Sequence, residues 1–241
     1  METLSKNKIK WISSLRLKKN RETERLFIVE GDKMVQEIVE LWPQSIKLLC
    51  STHEAYADCE NSHIIDERDM KSISNLKTPA SSLAVVKMPS LIATKKDLIL
   101  AIDGVQDPGN MGTILRTADW FGVDEIICSK ETVDIFNPKV IQSSMGSLFR
   151  IPVKYGNLAT MMTEYKLPTF GALLDGENIY ESDLPQKALI VMGNEGNGIS
   201  SEIRKHIDHS LLIPQFGEAE SLNVSIATGV ILSEFKRSAS H

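Results

Sequence analysis

The stretch that most limits what this chain can fold into runs from Ala188 to Phe235, ALIVMGNEGNGISSEIRKHIDHSLLIPQFGEAESLNVSIATGVILSEF. Ala188 to Met192 is a short apolar run, which the pattern predicts as a buried strand. A loop with Gly193, Gly196 and Gly198 follows it, and Ser200 with Glu202 predicts a helix start. Leu211, Leu212 and Ile213 form a second apolar run that Pro214 ends. The loop Gln215 to Glu220 leads to Ser221, the expected N-cap of a helix from Leu222 to Phe235. Leu222, Ile226 and Val230 share one stripe of that helix, and Ala227, Ile231 and Phe235 the next, so its apolar band is broad. Two polar loops therefore follow two buried strands and open two helices. In an open α/β sheet, ligands bind at that end, beyond the carboxyl ends of the strands. The glycine spacing is G-x-x-G-x-G, which is neither the dinucleotide fingerprint nor a lysine-containing phosphate loop. A dinucleotide enzyme is a poor reading on that ground.

Upstream, the chain alternates candidate strands and helices. Leu4 to Asn20 reads as one basic amphipathic helix with Ile9, Ile12 and Leu15 or Leu17 inward. Expected strands at Leu26 to Val29, Ile46 to Cys50, Ile64–Ile65 and Leu83 to Val86 interleave with helices at Asp32 to Leu41, His53 to Cys59 and Glu67 to Ser74. Such alternation predicts a compact α/β unit. Pro, Ser and Lys crowd the KMPSLIATKK run, so the domains are placed at 1–90 and 97–241, with 91–96 as linker. Leu98 to Ile102 is then the first strand of the second domain. Asp107-Pro108-Gly109 reads as a turn, with Asn110 capping a helix to about Phe121. On that helix Asn110, Ile114, Ala118 and Phe121 cluster on one side, and Arg116 points away. Further strands are expected at Glu125 to Cys128, Phe149 to Val153 and Thr169 to Leu174. Asn137-Pro138 should open a short helix over Lys139 to Met145.

Three blocks of residues carry a resemblance to a known family. Asn110-Met111-Gly112-Thr113-Ile114-Leu115-Arg116-Thr117-Ala118 fits N-x-G-x-x-x-R-T-A. MGNEGNGIS and IPQFGEAESLNVSIATGVILSEF follow it in order. Together they resemble the three motifs of the SpoU (TrmH-type) RNA ribose methyltransferases of the SPOUT class, over about Leu98 to Arg237. FIVEGDKMVQE resembles the substrate-binding domain that precedes many of these catalytic domains, though Arg25 stands where the family often has a small residue. Gln142 stands where relatives often carry a basic one.

The resemblance implies a SPOUT-type parallel sheet flanked by helices with a C-terminal trefoil knot, preceded by a small ribosomal-protein-like α/β domain, in an obligate homodimer. It implies transfer of a methyl group from S-adenosyl-L-methionine to a ribose 2′-hydroxyl of RNA, with ribosomal RNA favoured over transfer RNA. The alternatives are a tRNA ribose methyltransferase or a non-catalytic RNA-binding relative. By the match, Asn110 and Arg116 serve the substrate side, and Glu195, Ser221 and Asn223 complete the catalytic pocket. Gly193, Ile213 and Leu222 would hold the donor, the latter two sandwiching its adenine. The family assigns Arg116 as general base, an awkward role because a guanidinium is not normally deprotonated in proteins. A bidentate phosphate clamp is the other reading.

Charge bears on the RNA partner. The whole chain carries a net charge of -5, which by itself argues against nucleic-acid binding. Residues 1–25, however, hold eight Lys or Arg against three Glu, so any RNA contact should be local. Lys18, Lys19 and Arg21 are the expected phosphate contacts. Cys50, Cys59 and Cys128 are odd in number and lack Cys-x-x-Cys spacing, as expected of free thiols in a cytoplasmic protein without a metal. No apolar run approaches the ~18 residues of a membrane span.

Overall fold

The computed structural model describes residues 3–238 and resolves them into two compact units. The first comprises the residues up to Ser90 together with Phe136–Gly146, and the second Leu91–Ile135 with Ser147 onward. In chain order the elements before residue 91 are α1 (Lys6–Ser14), α2 (Lys18–Glu24), β1 (Leu26–Glu30), α3 (Asp32–Leu41), β2 (Ile46–Ser51), β3 (Ser62–Ile64), α4 (Glu67–Ile73) and β4 (Ser82–Lys87). Then come β5 (Leu98–Ile102), α5 (Pro108–Trp120), β6 (Glu125–Ser129), α6 (Pro138–Ser144), β7 (Val153–Gly156), α7 (Leu158–Thr163), β8 (Thr169–Asn178), β9 (Ala188–Met192), α8 (Ser201–Arg204), β10 (His209–Leu212) and α9 (Val224–Ser238).

In the first unit the sheet order is β1-β4-β2-β3, with β1 and β2 antiparallel to β4, and β3 parallel to β2. Its core joins Leu4, Ile12 and Leu15 to Ile28, Cys50, Ile65, Met70 and Leu83. The segment 136–146 packs with this unit through α6 on β1, and Phe136 lies 4.9 Å from Phe27, ring centre to ring centre.

The single N-terminal helix expected over Leu4 to Asn20 is two helices. Leu15 is buried and Leu17 is 64% exposed. A straight helix turns about 200° between those positions, so only one of them can face the core. The chain leaves helical geometry at Leu17 (φ -87, ψ 128) and starts again. The carbonyls left at the end of α1 find side-chain donors: Arg21 Nη1 reaches Leu15 O at 3.0 Å and Arg16 O at 2.7 Å, and Asn20 Nδ2 reaches Ser14 O at 2.9 Å. Two smaller differences follow the same rule that local packing sets the ends. The expected helix at His53 to Cys59 is a 3₁₀ turn, Glu54–Tyr56. The expected strand from Phe149 is a 3₁₀ turn, Ser147–Phe149, followed by β7.

The second unit carries a sheet of order β10-β8-β9-β5-β6-β7 in which every pairing is parallel. Residues LILAI of β5 and ALIVM of β9 are buried throughout. That explains their continuous apolar runs, since a central parallel strand is covered on both faces. β5 and β9 are neighbours in register, Ile102 opposite Met192. From β5 the chain winds one way through β6 and β7, and β9 lies on the other side. The ends of β5 and β9 therefore define the switch point of the sheet. A buried carboxylate, Glu125 at the start of β6, accepts from Tyr165 Oη and pairs with Lys154 Nζ at 2.7 Å.

Two helix starts differ from expectation, and both differences matter below. α5 is capped by Asp107, whose Oδ1 accepts from Asn110 N at 2.8 Å, with Pro108 in the first turn. α9 begins at Val224, after Asn223 rather than Ser221. Met111, Ile114, Leu115 and Ala118 form the inner face of α5, which packs on α9.

The cysteines give a direct check on burial. Desolvation pushes the Cys50 thiol up to about 12 and raises that of fully buried Cys128 further. Cys59 is only half-buried. Iodoacetamide at mildly alkaline pH should therefore label Cys59 alone in the native protein and all three after denaturation, as read by peptide mass spectrometry.

Candidate active site

The loop after β9 turns back on itself at once. A Cβ at Gly193 would stand 2.2 Å from Gly198 C and 2.3 Å from Ile199 N, so no side chain fits there. The room that Gly193 leaves is thus taken by the loop's own backbone. Asn194 holds the turn. Its backbone exchanges hydrogen bonds with Gly198 at 2.9 and 3.0 Å, and its Oδ1 accepts from Gly196 N and Asn197 N. Its Nδ2 donates to Gly104 O at 2.7 Å, which ties the loop to the segment after β5. Sequence reasoning passed over Asn194; an Asn opening a glycine-rich loop, able to satisfy backbone N–H groups two and three residues on, is the signal that could have found it.

Glu195 then reaches the same segment. Its carboxylate accepts from Gln106 N at 3.4 Å, Asp107 N at 3.3 Å and Asn110 Nδ2 at 3.1 Å. Asn110 can make this contact because Asp107 supplies the cap, leaving the Asn110 side chain unused in the first turn of α5. Asn110 Oδ1 in turn accepts from Asn223 Nδ2 at 2.9 Å. Asn223 Oδ1 accepts from Ser225 N at 2.9 Å, Ser225 Oγ at 2.7 Å and Ile226 N at 3.4 Å, so it caps α9. These contacts orient every amide in the chain. The first N–H groups of α9 hold the Asn223 oxygen, its nitrogen must then point to Asn110, and the Asn110 nitrogen must point to Glu195. Three segments distant in sequence are thereby joined at the carboxyl edge of the sheet.

The other residues singled out by sequence stand apart from this network. Arg116 is exposed and, among the described residues, takes no hydrogen-bond or ion-pair partner. Six residues along α5, it lies roughly 9 Å of helix rise beyond Asn110. Ser221 is exposed in the loop before α9, and its hydroxyl is not the cap. Ile213 is half-buried and Leu222 is 50% exposed. In the first unit, Lys18 and Lys19 are exposed, with Lys18 Nζ 3.8 Å from Glu22. Arg21 is a correction: it is 3% exposed and its guanidinium is committed to the carbonyls of Leu15 and Arg16, so it is not a surface phosphate contact.

A doubly covered parallel sheet with polar loops meeting at its switch point defines a ligand-binding α/β protein whose site is assembled by loops. The comparisons with known proteins narrow that class. Residues 97–233 match the SpoU rRNA Methylase family, and residues 6–84 match the MRM3-like substrate binding domain. The chain belongs to the SpoU rRNA methylase family. It is 32% identical over 242 residues to the Bacillus subtilis 23S rRNA (guanosine(2553)-2′-O)-methyltransferase RlmP, covering 96% of this chain and 97% of that one. It is 39% identical over 145 residues to the 23S rRNA (guanosine-2′-O-)-methyltransferase RlmB of Neisseria meningitidis, a match that spans 58% of the relative's length. Among solved structures, a TrmH-family protein from Porphyromonas gingivalis superposes with a TM-score of 0.86 at 39% identity, over 97% of this chain and 98% of that one. The AdoMet-bound rRNA methyltransferase of Sinorhizobium meliloti gives 0.86 at 29% identity, over 98% and 97%.

The network makes a quantitative expectation. Asn110→Ala and Asn223→Ala each remove one partner of the same hydrogen bond. Their destabilisations should therefore not add, with a coupling of roughly 1 kcal/mol in a double-mutant cycle read by denaturant unfolding. Asn223→Ala alone should cost the more, about 1–2 kcal/mol, because it also uncaps α9. Strict additivity would show the contact to be absent in solution.

Proposed function

We propose that the protein transfers a methyl group from S-adenosyl-L-methionine to a ribose 2′-hydroxyl of ribosomal RNA. The observation that carries this reading is the Glu195–Asn110–Asn223 chain of hydrogen bonds, which unites all three SpoU motifs at one edge of the sheet. The relative matched along nearly its whole length acts on 23S rRNA, which favours ribosomal RNA here.

The donor supplies a methyl group already activated by its sulfonium. Half-buried Ile213 and half-exposed Leu222 offer apolar surface of the kind that covers an adenine, and Gly193 contributes backbone alone, since its side is closed. These residues fit the group. The chain's own task is to orient the hydroxyl and help its proton depart. Glu195 and Asn223 hold Asn110 in one amide orientation, so the substrate side of α5 is fixed before RNA arrives. That preorganisation keeps the ordering cost out of the reaction step. Ser221, exposed beside Asn223, and Arg116, exposed on α5, are the groups left to face the nucleotide. Arg116 either takes the proton in the assembled site or clamps the adjoining phosphate bidentately.

Further features belong to the same reading. The C-terminal segment forms a trefoil knot, the domain over residues 1–90 is ribosomal-protein-like and helps select RNA through Lys18 and Lys19, residues 91–96 link it to the catalytic domain over 97–241, and the protein works in the cytoplasm. It works as a homodimer. In the second unit Trp120 (85%), Ile226 (55%) and Leu222 (50%) stand exposed on or beside α5 and α9, more large apolar surface than one helix pair of a monomer leaves to water.

Two measurements check this. Arg116→Ala should leave the fold and the donor affinity nearly unchanged, because the side chain is exposed. Single-turnover methyl transfer to ribosomal RNA lacking the mark should fall by at least ~10²-fold. Arg116→Lys should not restore it, since an ammonium lacks the planar two-pronged donor. Near-normal turnover in the alanine variant would remove Arg116 from the mechanism. Light scattering of active protein at micromolar concentration should give the mass of two chains, and a monomer mass would refute the dimer.

A further inference from the structure

A concave site lies wholly within the first unit, between β1, the segment after α4, and α6. It is a cleft of about 410 Å³, inside the range of roughly 300–1,000 Å³ usual for small-molecule sites. Ile28, Leu76 and Pro138 give it apolar walls, and Asn75, Lys139, Gln142 and the buried Glu30 give it polar groups.

Those polar groups are oriented by their neighbours. Gln142 Nε2 donates to Glu30 O at 2.8 Å, so its Oε1 is left as an acceptor with no partner among the described residues. Arg16 Nε donates to Asn75 Oδ1 at 2.9 Å, and Arg16 Nη2 to Ser74 O at 2.7 Å. The Asn75 backbone N–H is held by Glu30 Oε1 at 2.7 Å. With its oxygen taken, the Asn75 amide keeps Nδ2 as a buried donor that has no partner and no exposed surface. A buried donor of this kind is rare in a folded protein and calls for an explanation. Lys139, exposed, adds a cation without an ion-pair partner among the described residues. The cleft therefore offers apolar walls, one fixed acceptor on Gln142 and the positive charge of Lys139, while the Glu30 carboxylate in its lining is held by Ser74 Oγ and Asn75 N.

We propose that this cleft holds one unstacked nucleotide of the RNA substrate, its base between Ile28, Leu76 and Pro138 and its phosphate beside Lys139. A nucleobase has apolar faces and carries donors and acceptors together on its edge, and RNA is read mainly through bases splayed out of single-stranded loops. An exocyclic or ring N–H of the base takes Gln142 Oε1, and the phosphate takes the ammonium. A purely apolar ligand would leave Gln142 Oε1 unmet. The inference rests on the RNA reading above and adds to it a base-reading site within the first unit.

The probes are the four ribonucleoside 5′-monophosphates and their nucleosides, titrated to about 10 mM into the isotopically labelled full chain. At least one monophosphate should saturably shift the side-chain amide signals of Asn75 and Gln142, and more weakly as its nucleoside. Lys139→Ala should abolish the difference between the two. Ser143→Trp, which fills the cleft, should abolish the shifts and raise the KM for ribosomal RNA at least fivefold while kcat and AdoMet affinity stay unchanged. Absence of any shift in the wild type, or its persistence in Ser143→Trp, overturns the proposal. Should Ser143→Trp not fold, the Lys139→Ala comparison decides alone, and an unchanged monophosphate preference overturns it. Loss of monophosphate binding with an unchanged KM for RNA would assign the cleft to a free nucleotide and overturn the RNA assignment. An enzyme that still methylates RNA under any of these results leaves the proposed function standing. One that neither binds AdoMet nor transfers the methyl group removes both.

Discussion

The parallel pairing of β5 with β9 is the constraint on which the rest of the catalytic unit depends. The strands are distant in sequence, yet Ile102 and Met192 end side by side. Asp103 N donates to Met192 O at 2.9 Å, so the register persists into the loops. From there the loops have little freedom. Asp103 accepts from Ser200 N at 2.7 Å and so places the start of α8, and Asn194 donates across to Gly104 O. A register shift of one residue would send the apolar side chains of a strand to the opposite face. In a doubly covered strand that alone is tolerable; what it would destroy is the alignment of the loop ends. The site is thus a consequence of register more than of any one side chain.

Helix capping converts that scaffold into an oriented site. Capping is worth about 1 kcal/mol per helix, small against the burial of even one core leucine at roughly 2 kcal/mol. Its importance here is geometric. With Asp107 as cap, Asn110 is a first-turn residue whose side chain has no helix duty. With Asn223 as cap, the amide oxygen is committed to α9 and the nitrogen is aimed at Asn110. The same residue stabilises a helix and sets the direction of a hydrogen-bond chain that ends on Glu195. The carboxylate at that end accepts from two backbone N–H groups and an amide. It is a fixed acceptor that braces the loop after β5.

Basic residues near the N-terminus divide between two jobs. Arg21 and Arg16 are spent inside the first unit, one closing the end of α1 and the other orienting Asn75 beside the segment that follows α4. Lys18 and Lys19 remain on the surface. The local excess of positive charge therefore overstates what is presented to a polyanion. An arginine with five donors suits the internal task better than a lysine, because one guanidinium can meet several carbonyls at fixed angles.

Sequence alone determined the strands β5 and β9, because runs of only five apolar residues, closed by turn-forming loops, are too short for a buried helix and fit a buried strand. It also determined the membership of Asn110, Glu195 and Asn223 in one set, through motifs in a specific order. The cap of α6 at Asn137-Pro138 and that of α8 at Ser200 were legible as well, since both depend on residues two or three apart. What the sequence could not supply is which of two adjacent candidates does a job. Asp107 or Asn110, Ser221 or Asn223, and Leu15 or Leu17 are equivalent to local propensity. The choice was made by contacts from far along the chain: Glu195 draws the Asn110 side chain away from capping, Asn110 meets Asn223, and one core accepts Leu15 alone. Arg21 was misjudged for the same reason, since a charged residue in a basic run looks solvated until the carbonyls it must satisfy come into view. Long-range contacts carry no local sequence signature, and so only the tertiary structure decided which polar groups are structural and which are left to act.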